Sequence, residues 1–230
     1  MGSRIRRMFG SVRLLARLVI GLLALDVVLA WGAIMGVATY VVRVWHGLAG
    51  EVLPTGTLAQ HVSDLEILRA LQGLVWLATA AAFLAWVHRA YRNLEILGVP
   101  DLGYSPRWAV GAFLAPILNL VHPLRVLREL WKGSDAAGPG EARPYERSTP
   151  AWLLAWWLAF LASVAADPGM LRLFAGGGRA LHLGGGAQRV VIGALLEIAA
   201  GVLAIMIVSR ITRGQEERLR RSARSAGPVR

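Results

Sequence analysis

Four runs with almost no charge decide what this chain can fold into. Leu18–Val42 carries one charge, Asp26, in 25 residues, and Ala70–Val87 carries none in 18. Ala151–Ala166 carries none in 16, and Val190–Ser209 carries only Glu197 in 20. A helix rises about 1.5 Å per residue and the hydrocarbon core of a bilayer is about 30 Å thick, so roughly 20 apolar residues cross it. Three of the runs meet or approach that length. The third in chain order is short, but its Trp and apolar flanks can extend it, or the bilayer can thin locally. The expectation is an all-α polytopic membrane protein with four transmembrane helices. Composition points the same way: 56% of the 230 residues are hydrophobic and 17% charged, against about 25% charged in a soluble domain.

The net charge of +11 invites a nucleic-acid reading, but the cations lie where membrane topology would put them. Lys and Arg number 5 in residues 1–17, 2 in 43–70, 8 in 88–150, 3 in 167–189 and 7 in 210–230. Cationic loops stay in the cytoplasm, so the order is in, out, in, out, in. That predicts four crossings with both termini cytoplasmic and no nucleic-acid partner. Only Lys132 among the 25 cations is lysine. With heavy use of Ala, Gly and Leu, this is the composition of a high-GC bacterial genome, and the expected location is a bacterial inner membrane. There is no cysteine, hence no disulfide, thiolate nucleophile or cysteine metal site. The Arg-rich start (Arg4, Arg6, Arg7, Arg13, Arg17) resembles a signal-peptide n-region. The apolar run after it is far longer than an h-region and no small-x-small cleavage site closes it, so it reads as a retained first helix.

Local signals set the expected boundaries. Helix one is expected at about 12–43, with an outer loop at Gly47–Leu58. Ser63-Asp-Leu-Glu66 has the form of a capping box and predicts that helix two starts at about 64. It runs to about 97, where Gly98-Val-Pro100-Asp-Leu-Gly103 ends it. Ser105-Pro106 restarts a helix with Ser as N-cap and Pro in the first helical position, and a central segment runs to about Trp131. Residues 132–149 form a polar linker, and Thr149-Pro150 opens the next crossing, which Asp167-Pro168-Gly169 closes. Two triple glycines, 176–178 and 184–186, are expected in an outer loop. No GK[ST] follows them, so they read as linker and not as a phosphate loop. The last crossing ends near Arg210. The expected divisions are 1–62 (basic segment, first helix, outer loop), 63–215 (core membrane domain) and 216–230 (Arg-rich cytoplasmic tail).

The central segment is the unusual part. Trp108–Leu124 is uncharged over 17 residues, the length of a fifth crossing. Both its flanks are basic: Arg89, Arg92 and Arg107 before it, and Arg125, Arg128 and Lys132 after it. A crossing would place one set outside and would also move the Arg-rich C-terminal segment outside. Pro116, Asn119, His122 and Pro123 fall within eight residues, and each internal proline breaks a helix hydrogen bond. Broken backbone at membrane depth survives only when buried in protein or lining a wet cavity. The expectation is therefore a Pro-broken re-entrant or interfacial helical segment, in the kind of place where transporters and channels build sites.

Several stretches here resemble a bacterial integral-membrane family catalogued as domain of unknown function 4328. They are Trp86-Val-His-Arg-Ala-Tyr-Arg-Asn93, Leu97-Gly98, Tyr104-Ser-Pro-Arg-Trp-Ala-Val110, Pro116-Ile-Leu-Asn-Leu120, Pro123, Arg128-Glu-Leu-Trp131 and Thr149-Pro-Ala-Trp-Leu-Leu-Ala-Trp-Trp157. The resemblance covers roughly 65–215. It departs from the family pattern at Gly111–Ala115 and Val121-His-Pro123, where the family carries aromatics and a Trp-Arg-Pro. It implies a multi-span membrane fold and no established activity.

Arg89, Arg92 and Asn93 stand at i, i+3 and i+4 and share a helix face. They are either cations snorkelling to the headgroups, a lipid or anion site, or partners of Glu129 or Glu95. Asp26 and Glu197 are intramembrane acids; each charge near the bilayer centre costs at least ~2.5–3.5 kcal/mol. They must face protein or water, or stay protonated. Interhelical hydrogen bonding and a proton or cation path are the two readings. His88 and His122 have no His-x₃-His or Glu-x-x-His companion, so no metal or other cofactor is expected. Nine tryptophans read as interfacial anchors and packing residues. No Ser-His-Asp order or Gly-x-Ser-x-Gly is present. The best functional reading is a non-enzymatic membrane module that binds membrane lipids or a protein partner. The alternative is a small homo-oligomeric transporter or channel using the broken segment with Asp26 and Glu197. A membrane enzyme is the third option.

Overall fold

The computed structural model describes residues 2–51, 54–114, 120–134, 148–166 and 183–225. Every regular element among them is helical: α1 (Gly2–Leu48), α2 (Thr57–Ile96), α3 (Pro106–Leu114), α4 (His122–Ser134), α5 (Ala151–Ala166) and α6 (Leu183–Ser225). Three are long and apolar enough to cross a membrane, in the stretches Val12–Leu48, Thr57–Ile96 and Ala187–Arg221. The expected number was four. The helix that falls short is α5, with 16 residues, or about 24 Å at 1.5 Å per residue. Pro150 limits it on one side, where Leu153 N bonds Pro150 O at 3.1 Å.

Several expected boundaries move, and each of these moves lengthens a helix. α1 continues past 43 because nothing stops it before Gly50; there Glu51 N bonds His46 O and Gly50 N bonds Gly47 O, the paired bonds of a Schellman end. α2 begins at Thr57, not 64. Gly56 O already accepts from Gln60 N at 2.9 Å and the Thr57 hydroxyl donates to Pro54 O at 2.7 Å, which leaves Ser63-Asp-Leu-Glu66 as exposed interior helix. α6 takes in Gly184–Gly186, expected as outer loop, and passes Arg210 to reach Ser225. The segment expected as a cytoplasmic tail is thus helical to that residue. α4 likewise takes in Lys132–Ser134 from the expected linker.

Other signals hold as expected. Gly98, with φ +66°, ends α2 through Val99 N to Leu94 O and Gly98 N to Glu95 O. Ser105 caps α3: its Oγ accepts from Trp108 N at 3.3 Å and its carbonyl from Ala109 N at 2.9 Å. Among the described residues the central segment is two helices, α3 to Leu114 and α4 from His122, with 120 and 121 in neither. Within the described residues they hold 9 and 13 residues, or about 14 and 20 Å. Pro116 and Asn119, with 115–119, lie outside the described residues, as do Asp167–Gly169 and Gly176–Gly178.

The chain forms two compact units, Met1–Gly21 with Thr79–Ala155 and Leu203–Arg230, and Leu22–Ala78 with Trp156–Val202. The core of the first unit joins α2, α4 and α6. Trp86, Tyr91 and Leu94 of α2, Leu127 and Leu130 of α4, and Ile207 and Ile211 of α6 are fully buried. α4 is amphipathic: it buries Leu124, Val126, Leu127 and Leu130 and leaves Arg125 at the surface. Trp131 of α4 meets Trp152 of α5 edge-on at 5.0 Å, and the Arg210 guanidinium lies 5.9 Å from the Trp131 ring centre. The second unit buries Trp156 and Trp157 of α5 together with small residues, among them Ala30 and Ala33 of α1 and Ala194 and Ala200 of α6. A Cβ at Gly201 would lie 2.8 Å from Val27, so that glycine lets α6 approach α1, as small residues do between membrane helices.

Candidate functional site

The site lies within the first unit, where the end of α2 meets α3 and α1. Residues 84, 85, 88 and 89 fall on one stripe of α2 because they are four apart in pairs. Leu84, Ala85, His88 and Arg89 face Arg107 and Val110 of α3 and Leu14 and Leu15 of α1 across an open groove of about 710 Å³. Five of the eight lining side chains are aliphatic; the other three are two arginines and a histidine. Such a wall offers hydrocarbon contact and guanidinium donors side by side.

The position of Arg107 is built by the residues around it. Tyr91 OH donates to Glu129 Oε2 at 2.5 Å and accepts from Tyr104 N at 3.0 Å. Glu129 Oε2 also accepts from Gly103 N at 3.3 Å. The two backbone N–H groups of Gly103 and Tyr104 are thereby pinned to α2 and α4, and a Cβ at Gly103 would come within 2.7 Å of Glu129 Oε1. Ser105 then caps α3, Pro106 takes its first position, and His88 Nδ1 meets Pro106 O at 3.1 Å. Arg107 follows directly.

A second polar contact set joins α2 to α6 in the same unit. Trp86 Nε1 donates to Thr212 Oγ1 at 3.2 Å, Asn93 Nδ2 to Gln215 Oε1 at 3.0 Å, and Gln215 Nε2 to Ala90 O at 2.9 Å. The C-terminal end of α4 rests on α6. Arg218 donates to Gly133 O at 2.6 Å, filling one of the carbonyls a helix end leaves open. Arg13 of α1 pairs with Glu216.

The predicted site residues therefore divide. Arg89 lines the groove, Arg92 is exposed, and Asn93 is 1% exposed and bonded to Gln215. The three share a helix face, yet different neighbours meet it. Glu129 holds Tyr91 and Gly103; Pro123 is buried, and the His122 ring stands edge-on to Tyr104 at 5.9 Å. In the other unit Asp26 is 5% exposed, and Glu197 accepts from Gln72 Nε2 at 2.8 Å. Among the described residues no three His, Asp or Glu side chains gather as a metal site. Sequence reasoning missed Leu14, Leu15 and Val110, which give no local signal. It had Arg107 only as a basic flank, although its place directly after the Ser-Pro start of α3 pointed to a defined position.

One protein-family model, described as domain of unknown function (DUF4328), matches residues 57–213. The chain belongs to the DUF4328 family. The family segment opens on the first residue of α2 and closes within α6. The DUF4328 region thus contributes the α2 and α3 walls of the groove, and α1 supplies Leu14 and Leu15 from outside it. No curated protein and no solved structure matches the chain.

Proposed function

We propose that this DUF4328 protein is a four-span bacterial inner-membrane module, with both termini cytoplasmic, that binds an anionic phospholipid in the groove without chemically changing it. The observation that carries the reading is that Arg89 and Arg107 share a wall with five aliphatic side chains. Anionic headgroups and acyl chains present the same two chemistries. The fourth span is α5, whose 16 residues cross where the bilayer thins. Four crossings, an even number, keep the cation-rich segments at 1–17, 88–150 and 210–230 on one side. The central segment is a wedge at the headgroup layer. Trp108 is 62% exposed, Leu114 68% and Leu120 58%, an apolar surface that suits lipid far better than water. The bond from Gln72 supports interhelical hydrogen bonding for Glu197, not ion conduction.

The test is lipid retention by the purified protein from membranes of mixed phosphatidylglycerol and phosphatidylcholine. A basic residue near a membrane surface contributes about 1 kcal/mol toward anionic lipid. Arg89→Ala with Arg107→Ala is therefore expected to lower the anionic preference by roughly 30-fold. Arg92→Ala, off the groove, is expected to change it little. Wild-type retention in the double variant, or an equal loss in Arg92→Ala, refutes a localised site.

A further inference from the structure

We infer that the groove selects, among anionic phospholipids of equal charge, those whose headgroup carries a free hydroxyl. The inference rests on the lipid-binding reading and narrows it. It comes from the hydrogen-bonding state of His88. Its Nδ1 lies 3.1 Å from Pro106 O. A carbonyl oxygen only accepts, so Nδ1 carries the hydrogen, and in the neutral ring Nε2 is left with a lone pair. The bond to α3 thus fixes the tautomer, and His88 is one of the side chains that line the groove.

Once a phosphate engages the guanidiniums, no other lining side chain donates to the Nε2 lone pair. Arg89 and Arg107 donate, but their natural partner is the phosphate, and the remaining walls of Leu14, Leu15, Leu84, Ala85 and Val110 have no side-chain hydrogen-bonding group. A phosphate oxygen against Nε2 sets acceptor against acceptor. An acceptor that loses water without gaining a donor is unfavourable. A headgroup hydroxyl removes that cost. The arrangement of the chain fits one headgroup: His88 is adjacent to Arg89, and Pro106, which His88 holds, is adjacent to Arg107. The phosphate goes to the guanidiniums and the hydroxyl to the imidazole beside them.

Phosphatidylglycerol and phosphatidylmethanol separate this from charge. Both are phosphodiesters with one negative charge; only the first has free hydroxyls. With matched acyl chains competing for the full-length protein in lipid nanodiscs, native mass spectrometry is expected to show phosphatidylglycerol favoured by about 2- to 10-fold, the worth of one ordinary hydrogen bond. His88→Asn keeps an amide N–H for Pro106 O and has no counterpart of Nε2. It is expected to equalise the two lipids. Equal retention by the wild-type protein overturns the inference and leaves lipid binding standing, and this comparison needs no variant. A phosphatidylglycerol preference unchanged in His88→Asn also overturns it. Loss of any preference for either anionic lipid over phosphatidylcholine in the wild-type protein overturns the lipid reading itself.

Discussion

Replacing Gln215 by leucine tests whether the α2–α6 contact is held by hydrogen bonds or by packing alone. Leucine is close in size, so little cavity opens, but both amide bonds go. Gln215 is 1% exposed, as is Asn93. Its Oε1 accepts from Asn93 Nδ2 at 3.0 Å and its Nε2 donates to Ala90 O at 2.9 Å. The variant strands the Asn93 amide, whose Oδ1 has no hydrogen-bond partner among the described residues. A stranded buried polar group costs about 1–3 kcal/mol and each lost bond about 1 kcal/mol. The apolar gain of leucine offsets part of this, leaving about 2–3 kcal/mol of destabilisation. Asn93→Leu strands Gln215 Oε1 in turn. The double variant strands neither and is expected to be less harmful than the sum of the singles by about 1–2 kcal/mol, a coupling term. Hydrogen bonds between membrane helices average only about 0.6 kcal/mol and reach about 1.7, so the lower end of that range is the demanding one. The assay is reversible unfolding of the detergent-solubilised protein in rising dodecyl sulfate, followed by tryptophan fluorescence. A Gln215→Leu variant as stable as wild type, or strictly additive single effects, refutes the reasoning.

Three further outcomes are expected. Gly214→Ala should destabilise by about 2–4 kcal/mol in the same assay, because its Cβ would sit 2.5 Å from Ser134 O, a backbone atom that must be displaced; Gly73→Ala, with nothing within 4 Å of its Cβ, should be neutral or stabilising by up to about 1 kcal/mol. Tyr91→Phe and Glu129→Leu should each destabilise by about 1–3 kcal/mol and combine less than additively, since each removes the Tyr91–Glu129 bond that links the anchor of Tyr104 to the anchor of Gly103; full additivity would show that the loop is held by something else. Single cysteines at Leu114 and Arg125, in a chain with none of its own, should both react with an impermeant thiol reagent from the cytoplasmic side only, and labelling of either from outside, or an external reporter signal after Arg230, would overturn the four-span topology.

By itself the sequence determined the class of protein and most of its punctuation. Uncharged runs made three helices long enough to cross a membrane, because hydropathy and rise per residue are local quantities. Gly98 and Ser105-Pro106 marked a helix end and a helix start for the same reason, since caps are settled by neighbours within a turn. The Pro-rich stretch set the expectation of two pieces in the central segment, and α4 starts afresh at His122, beside Pro123. The capping box at Ser63 misled because a favourable cap does not stop a helix that has already begun at Thr57, and once nucleated each further residue costs little. The site depended on tertiary structure. Arg89, Arg92 and Asn93 look alike on a helical wheel, and only the arrival of α1, α3 and α6 separates a groove arginine, an exposed arginine and a buried amide. An arginine pair was only one of the readings open for Glu129, and the structure shows it holding Tyr91 and Gly103, because short-range geometry chooses among partners that charge alone leaves equal. Leu14 and Leu15 are indistinguishable in sequence from any other leucine of α1. Their place on the groove wall follows from long-range packing, which no local pattern encodes.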